Sequence, residues 1–105
     1  VLKAVLDEVY ENNDKYYWKR LTRKNVFKVY EEGAERKIGK ANIIKEGKDV
    51  TITTKGMMVN NARVAAKKLE LEGINATILD RITLKHIDKE AIIKYCKDAK
   101  QVVTA

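Results

Sequence analysis

The sequence predicts an α/β fold: three layers, α/β/α, around a mostly parallel sheet, incomplete at both ends. Three observations carry this expectation. Short β-branched or apolar stretches at 41–44, 50–54, 74–79 and 101–104 are the strand candidates. Helical patterns of about 10–14 residues lie between the later ones, and parallel strands need crossovers of that kind where a tight hairpin joins antiparallel strands. The first helix has no strand partners of its own, and no helix follows the last strand to cover it. A truncated domain is therefore expected.

Taken in order, Leu2, Val5, Leu6 and Val9 fall at helical spacing over residues 1–12, and Asn12-Asn13-Asp14 ends that helix. KYYWKRL (15–21) is aromatic-rich and reads as a strand. TRKNVFKVYEEGAERK has weak periodicity and reads as a connector. KANIIKEG gives a strand over 41–44 that turns at Glu46-Gly47, and β-branched Val50–Thr54 gives the next. A helix over 59–72 carries Ala62, Ala65, Ala66 and Leu69 on one face, and Gly73 stands where a helix end favours positive φ. Ile74–Leu79 is the third strand. Asp88 is a helix N-cap with Glu90 in the first turn, and that helix sets Ile92, Tyr95, Cys96 and Ala99 on one side. Gln101–Thr104 is the last strand.

Composition narrows the function. The 105 residues make one ordinary domain, 45% hydrophobic and 35% charged. No apolar run approaches the roughly 18–20 residues that span a bilayer, so no membrane role is expected. VLKAVLDEVYENN carries early acids and no small-residue cleavage site, unlike a signal peptide. One cysteine, Cys96, and one histidine, His86, exclude an internal disulfide and a Cys- or His-rich metal cluster. A reducing compartment, the cytoplasm, is expected. The net charge of +7 is spread, with nine Lys/Arg against seven Asp/Glu in 1–37 and thirteen against eight in 38–105. Lysines sit mostly beside acids, the pattern of a solvated face, so nucleic acid is not the expected partner. A small basic RNA-binding module is the alternative of another class.

Few residues offer chemistry. Lys55-Gly56-Met57 joins a strand to a helix, where unpaired N–H groups and the helix dipole attract anions. A dinucleotide turn needs GxGxxG and a P-loop needs GxxxxGK[ST]; this turn has one glycine, then two methionines. It reads as a plain strand–helix turn. His86 in TLKHIDKE reads as a solvent-facing loop residue with no nucleophile at recognisable spacing. Cys96, on an apolar helix face, reads as an inert thiol. Arg20 and Arg23 in WKRLTRKN leave two readings open: surface charge, or a bidentate grip on a phosphate or carboxylate by Arg23 just past a strand end.

KIGKANIIKEGKDVTITTKGMMVNNARVAAKKLELEGINATILDRITLKHIDKEAIIKYCKDAKQVVTA resembles the C-terminal domain of the transketolase family of thiamine-diphosphate enzymes. The matching pieces are IGKA, EGKDVTI with a single glycine before the helix, AAKKLELEGINATILD, the R-I-T-x-K-x-I-D loop and the VVTA strand. Residues 1–25 resemble the last helix and strand of the family's preceding, pyrimidine-binding domain, with Thr22-Arg23 at its Ser/Thr-Arg pair. The resemblance implies residues 1–25 from that domain, an interdomain linker at 26–37, and a truncated C-terminal domain at 38–105. It implies ketol transfer of a two-carbon unit between sugar phosphates, as in the pentose phosphate pathway, with thiamine diphosphate and a divalent metal, magnesium in the first instance. The cofactor, metal and catalytic residues would lie in segments outside this chain, leaving it structural and inactive alone. Arg23 would contact the substrate phosphate. Partners would be the remaining transketolase domains or an N-terminal subunit, in a homodimer or heterotetramer. Deoxyxylulose-phosphate synthase and the beta chain of 2-oxo acid dehydrogenases are the competing relatives. The chain has no proline, so the family's Lys-Pro loop is here Lys85-His86, and its connector proline is also missing.

Overall fold

A computed structural model describes every residue except Asn13, Gly33, Glu35 and Arg36. Three helices and four strands follow in the order α1 (Leu2–Glu11), β1 (Ala41–Lys45), β2 (Val50–Thr54), α2 (Met58–Leu71), β3 (Ala76–Arg81), α3 (Lys89–Cys96) and β4 (Gln101–Thr104). The sheet order is β1-β3-β2-β4, with β3 and β4 both parallel to β2 and β1 antiparallel to β3. This is the mostly parallel α/β sheet that the sequence predicts, with one antiparallel edge.

Strand periodicity assigns the two faces. Ile52 and Ile78 are register partners, so their side chains leave the sheet on one side. There they pack with Ala62 and Ala66 of α2 and with Ala76, and Ile44, Val50 and Leu69 close the margin. Two alanines one helical turn apart bring α2 close enough for the isoleucines to fill the gap. Thr51, Thr53, Thr77 and Leu79 leave on the other side and are buried. The Thr51 hydroxyl donates to the Tyr95 carbonyl at 2.5 Å, which ties α3 to that second face. Helix α2 thus covers one face, α3 is tied to the other, and β2 and β3, hydrogen-bonded along both edges, are buried nearly throughout.

Because β1 pairs with β3 rather than β2, the Glu46–Asp49 link must pass over the start of β3. Gly47 makes that crossing. A Cβ there would lie 2.6 Å from the Ala76 nitrogen and 2.6 Å from the Asn75 carbonyl carbon. Its N–H donates to the Thr77 hydroxyl (2.9 Å), which in turn donates to the Gly47 carbonyl (2.6 Å). The end of α2 accounts for a difference from the sequence reading. Gly73, at φ +82°, donates to the Glu70 carbonyl, and Ile74 donates back to that of Leu69. This paired closure keeps Ile74 with the helix, so β3 starts at Ala76, two residues later than the apolar pattern suggests.

Residues 15–21 form no strand, which corrects the reading of KYYWKRL. A strand needs a neighbour for its backbone groups, and no sheet edge among the described residues pairs with this stretch. Tyr16 and Trp18 are almost fully exposed. The alternation that would set Trp18 beside Arg20 is therefore not realised. Helix α1 forms as expected, with the Asn12 amide donating to the Glu8 carbonyl at its end, but buries no residue. Of the Asn12-Asn13-Asp14 stop, Asn13 lies outside the described residues, as do Gly33, Glu35 and Arg36 of the connector. No helix is long and apolar enough to cross a membrane among the described residues.

Candidate functional site

The side chains singled out in the sequence do not converge. The Gly56 turn is a conformational device: its φ is +55°, and a Cβ there would meet nothing within 4 Å. A phosphate-binding glycine works by close backbone approach, whereas here only the left-handed backbone asks for glycine. The N–H groups of Met58 and Val59 already donate to the carbonyls of Lys55 and Gly56 at 3.2 and 3.3 Å. Met57 and Met58 are exposed. They share a cavity of about 350 Å³ with Asn25, Val26, Phe27 and Val29 of the connector. His86 is exposed in the turn before α3, as expected. Cys96 is partly buried, and that burial pushes its thiol above the ordinary range, away from reactivity. Arg20 and Arg23 are exposed in irregular chain, where the Lys24 N–H donates to the Thr22 hydroxyl at 3.2 Å.

The acids with shifted pKa values are structural. Asp49 accepts from the Asn75 N–H at 2.9 Å and pairs with Lys100 at 3.0 Å, which holds its carboxyl below the ordinary value. Asp88 accepts from the N–H groups of Ala41 (3.1 Å) and Ala91 (3.2 Å), in that order of effect, and is likewise lowered. It therefore caps α3, as the sequence predicts, and also fastens β1 to it. Glu70 is lowered by its ion pair with Lys45, which bridges α2 to β1.

A buried polar row at the carboxyl end of β3 was not legible in the sequence. Asp80, 4% exposed, has Asn42 and Thr54 as register partners on its two sides, so all three share the α2 face. The Asn42 side-chain nitrogen and the Thr54 hydroxyl are buried without a hydrogen-bond partner. The hydroxyl that reaches Asp80 comes from Tyr30 in the connector, fifty residues away in sequence. No feature of TILDRIT distinguishes this aspartate from a solvated strand-end acid.

Among the described residues, no three His, Cys, Asp or Glu residues are grouped to hold an ion. The backbone donors at the start of α2 are engaged, and Asp49, Glu70 and Asp88 are committed to structural bonds.

The family model of the transketolase C-terminal domain matches residues 39–105. The chain belongs to that family. A 6-deoxy-6-sulfo-D-fructose transketolase subunit, SqwH, of Clostridium sp. (strain MSTE9) is 36% identical over 104 residues, 99% of this chain and 32% of that protein. The 1-deoxy-D-xylulose-5-phosphate synthase of Heliobacterium modesticaldum is 42% identical over 67 residues, 64% of this chain and 10% of that one. The 2-oxoisovalerate dehydrogenase subunit beta of Bacillus subtilis is 42% identical over 66 residues, 63% of this chain and 20% of that one. A solved split-gene transketolase, an inactive beta4 tetramer, superposes with a TM-score of 0.75 at 41% identity, over 79% of this chain and 28% of that chain. The chain thus spans less than a third of the length of each of these relatives. The transketolase-family identification and the α/β fold both stand as the sequence predicts.

Proposed function

We propose that this chain is the C-terminal part of a transketolase that moves a two-carbon ketol unit between sugar phosphates. The observation that supports transketolase over its relatives is coverage. The transketolase subunit from Clostridium matches 99% of the chain, residues before the family domain included, while synthase and dehydrogenase relatives match up to 70% and 75% of it. In this reading the α/β domain is a structural platform that buries interface and steadies the neighbouring domain. In the same reading thiamine diphosphate and its metal, magnesium in the first instance, belong to segments or a subunit outside this chain. The chain alone is catalytically silent. Its partners are the remaining transketolase domains or an N-terminal subunit, in a homodimer or heterotetramer.

Arg23 is the residue of this chain that acts on substrate in this proposal. Its guanidinium presents a planar fork that pairs two N–H donors with two phosphate oxygens. Exposure leaves those donors accessible. Holding a phosphate this way strengthens binding without entering the chemistry, so its loss appears chiefly in KM.

The assay follows directly. Enzyme assembled from this chain and its complementary portion should transfer a ketol unit from a ketose phosphate to an aldose phosphate. Condensation of pyruvate with glyceraldehyde phosphate, or decarboxylation of a branched 2-oxo acid, without ketol transfer would assign the chain to a competing relative. Within an active assembly, Arg23→Ala should raise KM for phosphorylated acceptors about tenfold or more, the loss of a charged hydrogen bond of about 1.5–3 kcal/mol. Unphosphorylated acceptors should change little. An equal effect on both would refute the phosphate role.

A further inference from the structure

We propose that Tyr30 and Asp80 form a latch that straps the connector across the carboxyl ends of the parallel strands. Between α1 and β1 the described residues make no regular element, so backbone pairing does not place this segment. Side chains must do so. Two attachments are visible. Val26, Phe27 and Val29 line one side of the cavity whose other side is Gly56, Met57 and Met58 at the start of α2. Beyond them the chain turns inward: Val29 and Tyr30 are half-buried, whereas residues 14–28 are exposed. There the Tyr30 hydroxyl donates to Asp80 Oδ2.

Asp80 is an expensive residue to keep at this position. A carboxylate that is 4% exposed loses its hydration, and burial of a charge is strongly unfavourable unless hydrogen bonds replace the water. Its neighbours in the sheet do not replace it, for the Asn42 nitrogen and the Thr54 hydroxyl find no partner. The phenol of Tyr30 supplies a charge-assisted hydrogen bond, of the stronger class. Lifting the strap would remove that donor, so connector placement and the solvation of Asp80 are coupled. An apolar strand-end residue would remove the cost but also the coupling. The latch stands independently of any role for Arg23.

Hydrogen–deuterium exchange on the full chain tests this. In the wild type, amides in 26–32 should exchange more slowly than those in 15–21. Tyr30→Phe should speed exchange in 26–32 about tenfold, leaving β2, β3 and α2 protected, since local opening is separate from global unfolding. Tyr95→Phe, which removes another long-range tyrosine bond, should leave 26–32 unchanged. The effect of Tyr30→Phe should shrink in an Asp80→Asn background, because coupled partners are not additive. Unchanged exchange in 26–32 for Tyr30→Phe with the core still protected would overturn the latch, as would full additivity in the double variant. If Asp80→Asn fails to fold, the Tyr30→Phe comparison still decides.

Discussion

Residues 15–21 and 50–54 carry comparable strand propensity and meet opposite fates. VTITT lies between β3 and β4, and four of its five side chains are buried. YYWKRL, richer in aromatic area, stays irregular with Tyr16 and Trp18 almost wholly in solvent. Propensity describes how well a residue suits a pleated, half-buried surface and does not create that surface. In the second stretch the sheet supplies partners for backbone groups on both edges, α2 packs one face and α3 is bonded to the other. In the first it supplies none. The chain thus contrasts a sheet region, 41–105, whose strands supply one another's partners, with a stretch, 15–21, that has no such partner among the described residues.

Truncation should separate the two regions most strongly. Leu79→Ala, at a fully buried position, should cost about 2–5 kcal/mol of stability in urea unfolding. Trp18→Ala should fall within about 0.5 kcal/mol of the wild type. Comparable losses would mean that 15–21 is packed. Gly47→Ala comes next, since its Cβ would overlap the β3 backbone. Overpacking of this kind costs about 1–3 kcal/mol. Gly73→Ala should be milder, about 1–2 kcal/mol for a left-handed residue with open space around it.

Acid should act on the platform through Asp49 and Asp88. Both carboxyls titrate lower in the folded chain than when unfolded. Their contribution is therefore complete above the ordinary aspartate pKa and fades as pH falls through their folded values, below about pH 4. Unfolding midpoints followed from pH 6 to pH 2 should drop more steeply in the wild type than in Asp88→Asn. Parallel curves would remove Asp88 from the account. The smallest effect belongs to the Lys3–Asp7 pair on α1, 2.6 Å apart yet largely exposed. Lys3→Ala should shift stability by no more than about 0.5 kcal/mol, and less in high salt.

What the sequence made legible follows the same contrast. β2 and β4 were readable to the residue, and α2 to within one, because β-branched runs and the alanine stripe are local signals. The Asp88 cap was readable for the same reason. The antiparallel pairing of β1 was not, because it depends on which neighbour a strand chooses, and Gly47 reveals the crossing only once β3 lies beneath it. The strand at 15–21 was misread because its partner is not encoded in its own pattern. The Asp80 row and its tyrosine were invisible, since fifty residues separate the two. Arg23 drew attention through a motif, and its placement in irregular, exposed chain gives it reach rather than a formed site.

The contrast between the sheet region and 15–21 is tested most directly by amide exchange across 15–21, in the chain alone and with the complementary portion of a transketolase. The account predicts coil-like exchange in the chain alone, marked slowing on assembly, and unchanged protection in β2 and β3. Slow exchange of 15–21 in the isolated chain, or no slowing in an assembly that transfers ketol units, would contradict it.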